Sequence, residues 1–206
     1  MLTKLMSDAF TYFYNLTGNY GVAIILITIA IKVILLPITI QQNKSIRAMQ
    51  KIQPKINEIK EKYKDKPEKM NKELMTVYQE AKINPASSCL PLLIQLPFLW
   101  VLFNVLRNYN YDAANASFLW ITHLGQPDPT YILPILNAVT SYLQTKLSSI
   151  DPNQAKTMMF MPIFIGYISI KFPAGLSLYW VLGNILTIIQ QYLTVRKTSA
   201  AEKEVS

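Results

Sequence analysis

Long runs of apolar residues, separated by short polar segments, dominate the pattern along this chain of 206 residues. Most of these runs approach the roughly 20 residues that a helix needs to cross the apolar core of a bilayer, which is about 30 Å thick. The pattern predicts five transmembrane helices, at residues 20–40, 86–106, 131–147, 158–170 and 174–195. We therefore expect an all-α, polytopic membrane protein with a single domain over residues 1–206.

A lysine, Lys32, lies in the middle of the first run, which reads AIILITIAIKVILLPITI over residues 23–40. A lysine at the centre of a transmembrane helix costs about 2.5–3.5 kcal/mol on insertion scales. The polar end of the helix near Gln41 is nine residues away. That is roughly 13 Å along a helix, farther than the lysine stem reaches. None of the predicted spans contains an Asp or Glu to pair with Lys32, so we expect it to line a hydrated groove within the bundle.

Neutral polar side chains recur on the predicted spans at intervals that place them on one helical face. They are Thr28, Thr39 and Asn43 on the first span, Ser88 and Gln95 on the second, and Ser177, Asn184 and Gln191 on the fifth, with Thr187 nearby. Such stripes suit a bundle that encloses a polar, hydrated cavity. They equally suit hydrogen bonds between neighbouring transmembrane helices, in which Ser, Thr, Asn and Gln are common. The spacing alone leaves both interpretations open.

The segment 43–83, between the first two spans, shows helical periodicity twice. One apolar stripe consists of Ile52, Ile56, Ile59 and Tyr63, and the other of Met70, Leu74, Val77 and Ala81. Pro67 follows a charged turn and marks a helix start, while Pro54 is expected to begin the first arm or to kink it. We predict an antiparallel helical hairpin, and the alternative is a solvated tether with incidental helicity.

Basic residues are distributed unevenly between the polar segments. Residues 43–83 contain eleven Lys or Arg against six Asp or Glu, whereas residues 108–130 contain no Lys or Arg at all. By the positive-inside rule, the hairpin is cytoplasmic and the loop 108–130 is external. The N-terminus then lies outside and the C-terminus in the cytoplasm. Specific nucleic-acid binding is not expected, because acids are interleaved with the bases and few aromatic residues accompany them.

Residues that could carry covalent or metal chemistry are few. The single cysteine, Cys89, lies in an apolar run and is expected to be a small buried residue. The single histidine, His123, has no second metal ligand nearby in the sequence. We therefore predict no catalytic residue, metal or cofactor. The first 21 residues are too polar and aromatic for a secretory signal and instead favour a short interfacial helix on the outer surface. Its apolar face would consist of Met6, Phe10, Phe13 and Tyr14.

Five segments of the chain, in the same order, resemble the YidC/Oxa/Alb family of membrane protein insertases. They are GNYGVAIILITIAIKVILLP with QQNKSIRAMQKIQPKI, NPASSCLPLLIQLPF, FLWITHLGQPDPTYILPIL, DPNQAKTMMFMP and FPAGLSLYWVLGNILTIIQQ. They cover residues 18–196, and the chain is most similar to a compact bacterial member. The resemblance implies a five-helix core with a cytoplasmic hairpin and a hydrophilic groove. That groove would open to the cytoplasm and the lipid and be closed toward the outside.

The resemblance also implies roles for individual residues. The basic groove residue of the family falls on Lys32, where arginine is usual, and its neighbour on the same face is Thr28. The remaining candidates for the substrate groove are Gln95, Trp180, Asn184 and Gln191. Substrates are expected to slide along a surface of the second and fourth spans. Candidates for this slide are Leu92, Leu96, Phe160, Phe164 and Tyr167.

We therefore expect an insertase of the bacterial plasma membrane that receives newly made proteins and inserts or folds them, with or without the Sec translocon. Its partners would be nascent membrane proteins and the lipid bilayer. Further candidates are the ribosome, the signal recognition particle and the Sec translocon, although the short, mildly basic tail argues against strong ribosome binding. No cleavable signal or large external domain is expected. The alternative is a small ion or solute transporter with Lys32 as its binding charge, for which the usual repeats and intramembrane carboxylates are not evident.

Overall fold

The computed structural model describes residues 2–84, 90–112, 115–148 and 160–204. Throughout these ranges the regular structure is helical, which confirms the predicted all-α class. The helices are α1 (Leu2–Thr17), α2 (Tyr20–Lys62), α3 (Pro67–Glu80), α4 (Leu90–Asn108), α5 (Ile132–Ser148), α6 (Phe160–Ser169) and α7 (Ala174–Glu204). Helix α7 packs against α2, α4 and α5, and α5 also packs against α6.

Helix α1 occupies the N-terminal segment, where the sequence predicts an interfacial helix. Its aromatic stripe is covered by protein: Phe10 is fully buried and Met6 nearly so. The Phe10 ring lies edge-on to Tyr109 of α4, with 4.8 Å between ring centroids, and stacks on Tyr20 of α2 at 5.8 Å. Phe10 and Met6 therefore face protein and not the lipid interface. The aromatic rings of Tyr20 and Tyr109, at the ends of α2 and α4, cover Phe10.

Helix α2 is a single element of 43 residues that contains both the first predicted span and the first arm of the hairpin. The Asn19 side chain caps its start by accepting hydrogen bonds from the backbone N–H groups of Gly21 and Val22, at 2.9 and 3.1 Å. The expectation that Pro54 begins the first arm is wrong, since α2 continues through both Pro37 and Pro54. A proline removes one backbone hydrogen bond, and the bonds of the flanking turns continue the helix.

The hairpin consists of the second half of α2, a turn and α3, in agreement with the two apolar stripes. Pro67 occupies the first turn of α3, and Ile56, Ile59 and Val77 are buried between the arms. A salt bridge of 3.1 Å joins Lys55 to Glu80, but both side chains are largely exposed. Such exposed pairs contribute little, so the hairpin depends mainly on its buried aliphatic residues.

Helices α5 and α7 begin close to the starts of their predicted spans. Helix α5 starts one residue later than predicted, at Ile132, because Tyr131 has a φ of 58°, outside the helical region. Helix α7 extends beyond its predicted span to Glu204. Among the described residues, α2 is the one helix that is long and apolar enough to cross a membrane by length and composition. Residues 86–89 and 158–159, which belong to two predicted spans, lie outside the described ranges.

The loop between α4 and α5 crosses the ends of the helices opposite the hairpin. The backbone N–H groups of Ala174 and Gly175, at the start of α7, donate to the carbonyls of Gln126 and Leu124 at 2.7 and 2.8 Å. The Asp112 N–H donates to the Tyr20 hydroxyl at the start of α2, at 3.1 Å. The loop therefore ties the starts of α2 and α7 together.

Asp128 joins this loop to the first turn of α5. Its buried carboxylate accepts the Leu133 N–H at 2.9 Å, and both the N–H and the hydroxyl of Thr130, at 3.0 and 2.7 Å. Burial is the largest single influence and raises the pKa of Asp128. The hydrogen bonds from Leu133, Thr130 and Trp120 together outweigh it and hold the pKa below its usual value.

Asp128→Asn is expected to lower the free energy of unfolding at neutral pH by about 1–2 kcal/mol, because hydrogen bonds to a charged acceptor are the stronger ones. A lowered pKa means that this stabilisation is present above the usual carboxyl pKa and is lost as the pH falls through the lowered value. Thermal unfolding in detergent should therefore separate variant and wild type at neutral pH and not in strong acid. The exposed Asp65→Asn is the control, and a difference that persists in strong acid would contradict the assignment.

Candidate functional site

Lys32 lies half-buried on α2, directly against α7. Its Nζ donates a hydrogen bond of 2.9 Å to Thr187 Oγ1, and the Thr187 hydroxyl in turn donates to the Gly183 carbonyl at 2.8 Å. A Cβ atom at Gly183 would lie 3.6 Å from Lys32 Cε, so the lysine stem runs along the bare backbone of α7. Gly183 and Thr187 therefore form a seat for the Lys32 side chain.

The charge of Lys32 has no carboxylate partner within the described residues. An ammonium group has three N–H donors, and Thr187 accepts one of them. The other two have no protein acceptor in the described ranges. A charge in this state is stabilised by water or by an anionic ligand, because a neutral hydroxyl alone does not offset the loss of hydration.

The contact between α2 and α7 changes character along its length. Near the loop between α4 and α5 it is apolar, with Ile24 and Ile27 of α2 and Leu176 of α7 in the hydrophobic core. Beyond Lys32 it becomes polar: Gln190 Nε2 donates to Thr39 Oγ1 at 2.7 Å, and Arg47 Nη2 donates to the Gln191 carbonyl at 3.2 Å. Gln42 and Asn43 of α2 are also buried on this half. Lys32 lies where the apolar half meets the polar half.

Gln95 and Trp180 lie on the α4 and α7 sides of the bundle. Gln95 is half-buried, and its Nε2 donates to the hydroxyl of the buried Tyr179 at 2.5 Å. Trp180, the next residue along α7, is half-buried as well. The Gln95–Tyr179 bond holds α4 against α7, so the side-chain amide of Gln95 is already engaged.

Thr28, Asn184 and Gln191 are buried and have partners within the protein. The Thr28 hydroxyl donates to the Ile24 carbonyl of its own helix at 2.6 Å. Asn184 Nδ2 lies 3.0 Å from both Thr140 Oγ1 and Ser141 Oγ of α5. Gln191 Nε2 donates to Ser148 Oγ at 2.8 Å. These are contacts within or between helices, the alternative that the sequence left open, and a role in substrate binding stays a prediction.

The predicted slide residues lie on outward faces of α4 and α6. Leu96 is 49% exposed, Phe160 68%, Phe164 45% and Tyr167 67%. The rings of Phe160 and Phe164 stack with centroids 6.2 Å apart, so they form a continuous apolar strip. The side chain of Leu92 lies outside the described part of the structure, as do Ser88 and Cys89.

Covalent and metal chemistry have few candidate groups near Lys32. Over the described ranges, no three His, Cys, Asp or Glu side chains lie together as they would to hold a metal ion. His123 is in the loop between α4 and α5, where its Nδ1 accepts the Gly125 N–H at 3.0 Å. The groups around Lys32 can attract and hydrogen-bond a polar or anionic segment.

Sequence spacing misses part of the Lys32 seat. Gly183, Thr187 and Gln190 follow one another at intervals of four and three residues, which places them on the face of α7 that meets α2. The stripe of Ser177, Asn184 and Gln191 marks the neighbouring face instead. The intervals of three and four residues between Gly183, Thr187 and Gln190 mark this face of α7 in the sequence. They do not show that the face meets Lys32 of α2.

Over the described ranges, the fold and the site define a class: an all-helical protein with a long apolar helix whose lysine has no carboxylate partner there. A family model described as "60Kd inner membrane protein" matches residues 12–202. A membrane protein insertase YidC of Caldanaerobacter subterraneus subsp. tengcongensis is 44% identical over 203 residues, which cover 98% of each chain. One of Geobacter sulfurreducens is 45% identical over 98% of this chain, which spans 38% of that relative.

A solved structure agrees with these relatives. The active YidC insertase crystal structure with the first transmembrane domain resolved superimposes with a TM-score of 0.78, at 34% identity. The match covers 93% of this chain and 45% of that one. The chain therefore belongs to the 60Kd inner membrane protein family, the family of the YidC membrane protein insertases, and the resemblance seen in the sequence is confirmed. The relatives carry insertase names, which gives the transporter alternative no support.

Asn184→Ala tests whether Asn184 joins helices or contacts substrate. Its loss removes hydrogen bonds to Thr140 and Ser141, and we expect the free energy of unfolding to fall by about 0.6–1.7 kcal/mol, typical of hydrogen bonds between transmembrane helices. Reversible unfolding in mixed micelles measures this change. The neighbouring Ile185→Ala, at a side chain 40% exposed, is the control. Unchanged stability combined with weaker substrate crosslinking would instead make Asn184 a groove residue.

Proposed function

We propose that this chain inserts newly made membrane proteins into the bacterial plasma membrane. The observation that carries the proposal is the position of Lys32, which has no carboxylate partner in the described part of the chain and lies where the α2–α7 contact changes from apolar to polar. Family membership supports it, since the relatives are named membrane protein insertases. The activity is physical, in that no bond of the substrate is made or broken and no cofactor is needed.

The polar half of the α2–α7 contact is the proposed hydrophilic groove, open toward the hairpin and the lipid. Water in this groove shortens the apolar distance that a polar tail of the substrate must cross. Lys32 attracts acidic residues of that tail, and such a pair at about 4 Å contributes roughly 4 kcal/mol at an effective dielectric constant of 20. The apolar half, closed by the external loop, prevents the groove from becoming a pore.

The apolar segment of the substrate leaves the groove along α4 and α6. The exposed Leu96, Phe160, Phe164 and Tyr167 supply an apolar surface for it, and Leu92, four residues before Leu96 in the sequence, stays a candidate from the family resemblance alone. Transfer of the substrate helix from this surface into lipid drives the step, because burial of apolar area is favourable by about 25 cal/mol per Å². Thr28, Gln95, Trp180, Asn184 and Gln191 shape the groove beside Lys32.

The orientation follows from charge. The basic hairpin is placed in the cytoplasm, with the N-terminus outside and the C-terminus inside. The hairpin then receives the nascent chain, and the ribosome, the signal recognition particle and the Sec translocon are its proposed partners. Both Sec-independent insertion and action beside the Sec translocon fit this arrangement.

A series of Lys32 variants tests the proposed charge. Insertion of substrates with acidic external tails should persist in Lys32→Arg, fall at least tenfold in Lys32→Ala and fall further in Lys32→Glu. Substrates with neutral tails should be little affected, because the attraction is electrostatic. The measurement is protease protection of the translocated tail in proteoliposomes at low and high ionic strength.

Two comparisons make the series decisive. Lys44→Gln changes an exposed lysine of the same helix and should insert like wild type. Lys32→Gln separates charge from polarity: activity equal to Lys32→Arg would mean that Lys32 serves to hold water. Equal activity of all Lys32 variants on every substrate would remove Lys32 from the mechanism.

A further inference from the structure

The external loop contains a closed two-residue turn. Phe118 and Ile121 exchange both backbone hydrogen bonds at 2.9 Å, so Leu119 and Trp120 form its tip. Leu119 has a φ of 52°, in the left-handed region that favours Gly and Asn and that a bulky side chain rarely adopts. The turn would form more easily with Asn or Gly at this position, so its backbone gives no reason for a leucine.

The base of the turn is fixed to the bundle. The Phe118 ring lies so close to Gly21 at the start of α2 that a Cβ atom there would come within 2.1 Å of it. Ile121 is buried in the core. These two contacts fix the base of the turn to the end of α2. The position of the tip relative to the bundle is therefore set by Phe118 and Ile121.

The two side chains of the tip present apolar surface. Leu119 is 74% exposed and Trp120 is 37% exposed. The indole N–H of Trp120 donates to the carboxylate of Asp128, which is itself buried. The indole has no other polar atom, so the exposed part of Trp120 is entirely apolar. An indole held in this way suits the boundary between headgroups and acyl chains.

The surroundings of the tip also suit lipid. Residues 108–130 contain no Lys or Arg. Asp128, the buried carboxylate under Trp120, also binds the first turn of α5 through Leu133. Helix α5 continues with exposed apolar residues at helical spacing on one face. They are Ile132, Ile135 and Val139, exposed by 40%, 61% and 48%.

We propose that the Leu119–Trp120 tip inserts into the headgroup–acyl boundary of the outer leaflet and sets the depth of the bundle in the bilayer. The proposal rests on the proposed orientation and not on insertase activity. Because the tip lacks cations, its insertion depends on apolar contact and is independent of anionic lipid. The unfavourable φ of Leu119 is tolerated because the leucine side chain contacts the membrane, whereas the turn itself does not require a leucine.

The depth of Trp120 can be measured by fluorescence. Trp100→Phe and Trp180→Phe leave it as the one tryptophan of the chain. The full-length variant is placed in phosphatidylcholine vesicles that contain lipids brominated at defined depths, and in vesicles with added phosphatidylglycerol. We expect the strongest quenching from bromines close to the headgroups, weak quenching by aqueous iodide, and the same depth in both lipid mixtures.

Leu119→Asn separates anchoring from folding, because Asn tolerates the left-handed conformation. Its thermal stability in detergent should equal or exceed that of the parent, while iodide quenching of Trp120 should rise at least twofold. Leu119→Met, which keeps an apolar side chain, should retain the parent depth. The measurement involves no substrate. The tip can therefore fail to enter the membrane in a protein that still inserts its substrates, and substrate insertion can fail while the tip remains in the membrane.

Three results would overturn the proposal. The first is a Trp120 that iodide quenches strongly and brominated lipid does not. The second is an unchanged depth in Leu119→Asn. The third is protection of Trp120 that requires an added membrane protein, which would make the tip a protein-binding surface instead.

Discussion

A lysine inside a helical bundle, with no carboxylate partner among the residues that the structure describes, is the constraint on which the rest of this structure depends. Lys32 donates one hydrogen bond to Thr187, and that hydroxyl is oriented by the Gly183 carbonyl. This contact fixes the position of the charge but leaves most of its hydration unreplaced. We propose that water or a polar segment of substrate reaches the α2–α7 contact, and that it does so from one side, so that the membrane remains sealed.

The two ends of the bundle are built for these opposite requirements. At the end opposite the hairpin, the loop between α4 and α5 binds the start of α7 through Leu124 and Gln126 and the start of α2 through Asp112. Below it, Ile24 and Leu176 belong to a continuous apolar core. Toward the hairpin, hydrogen bonds replace the apolar contacts between α2 and α7. Gln190 donates to Thr39, and Arg47 donates to the Gln191 carbonyl. The seal and the polar half share the same two helices, so a shift of α7 against α2 would alter both.

The sequence predicts the helices and the importance of Lys32 because both follow from large, local free-energy terms. Apolar runs place the starts of α2, α5 and α7 to within one residue, although α2 and α7 continue beyond their predicted spans. The insertion penalty of a lysine is several times that of a neutral polar side chain. Partners could not be predicted in the same way. The interval between Asn184 and Gln191 places them on one face of α7, but it does not say that this face meets α5.

Two local rules were overridden by packing. Pro54 signals a helix boundary, yet α2 runs through it, because Ile56 and Ile59 are buried against α3. The aromatic stripe of α1 signals a lipid interface, yet Phe10 packs between Tyr20 and Tyr109. In both places a tertiary contact that is distant in the sequence decided the outcome.

The proposed function depends on access of water to position 32 from one side, and cysteine labelling measures this access directly. Lys32→Cys in a Cys89→Ser background is exposed to a membrane-impermeant maleimide in right-side-out and inside-out vesicles, because a thiol needs water to ionise and react. Ile24→Cys, in the buried apolar half, is the control. The account predicts labelling of position 32 from the cytoplasmic side alone and none at position 24. Absence of labelling at position 32 from either side, or labelling from outside, would contradict it.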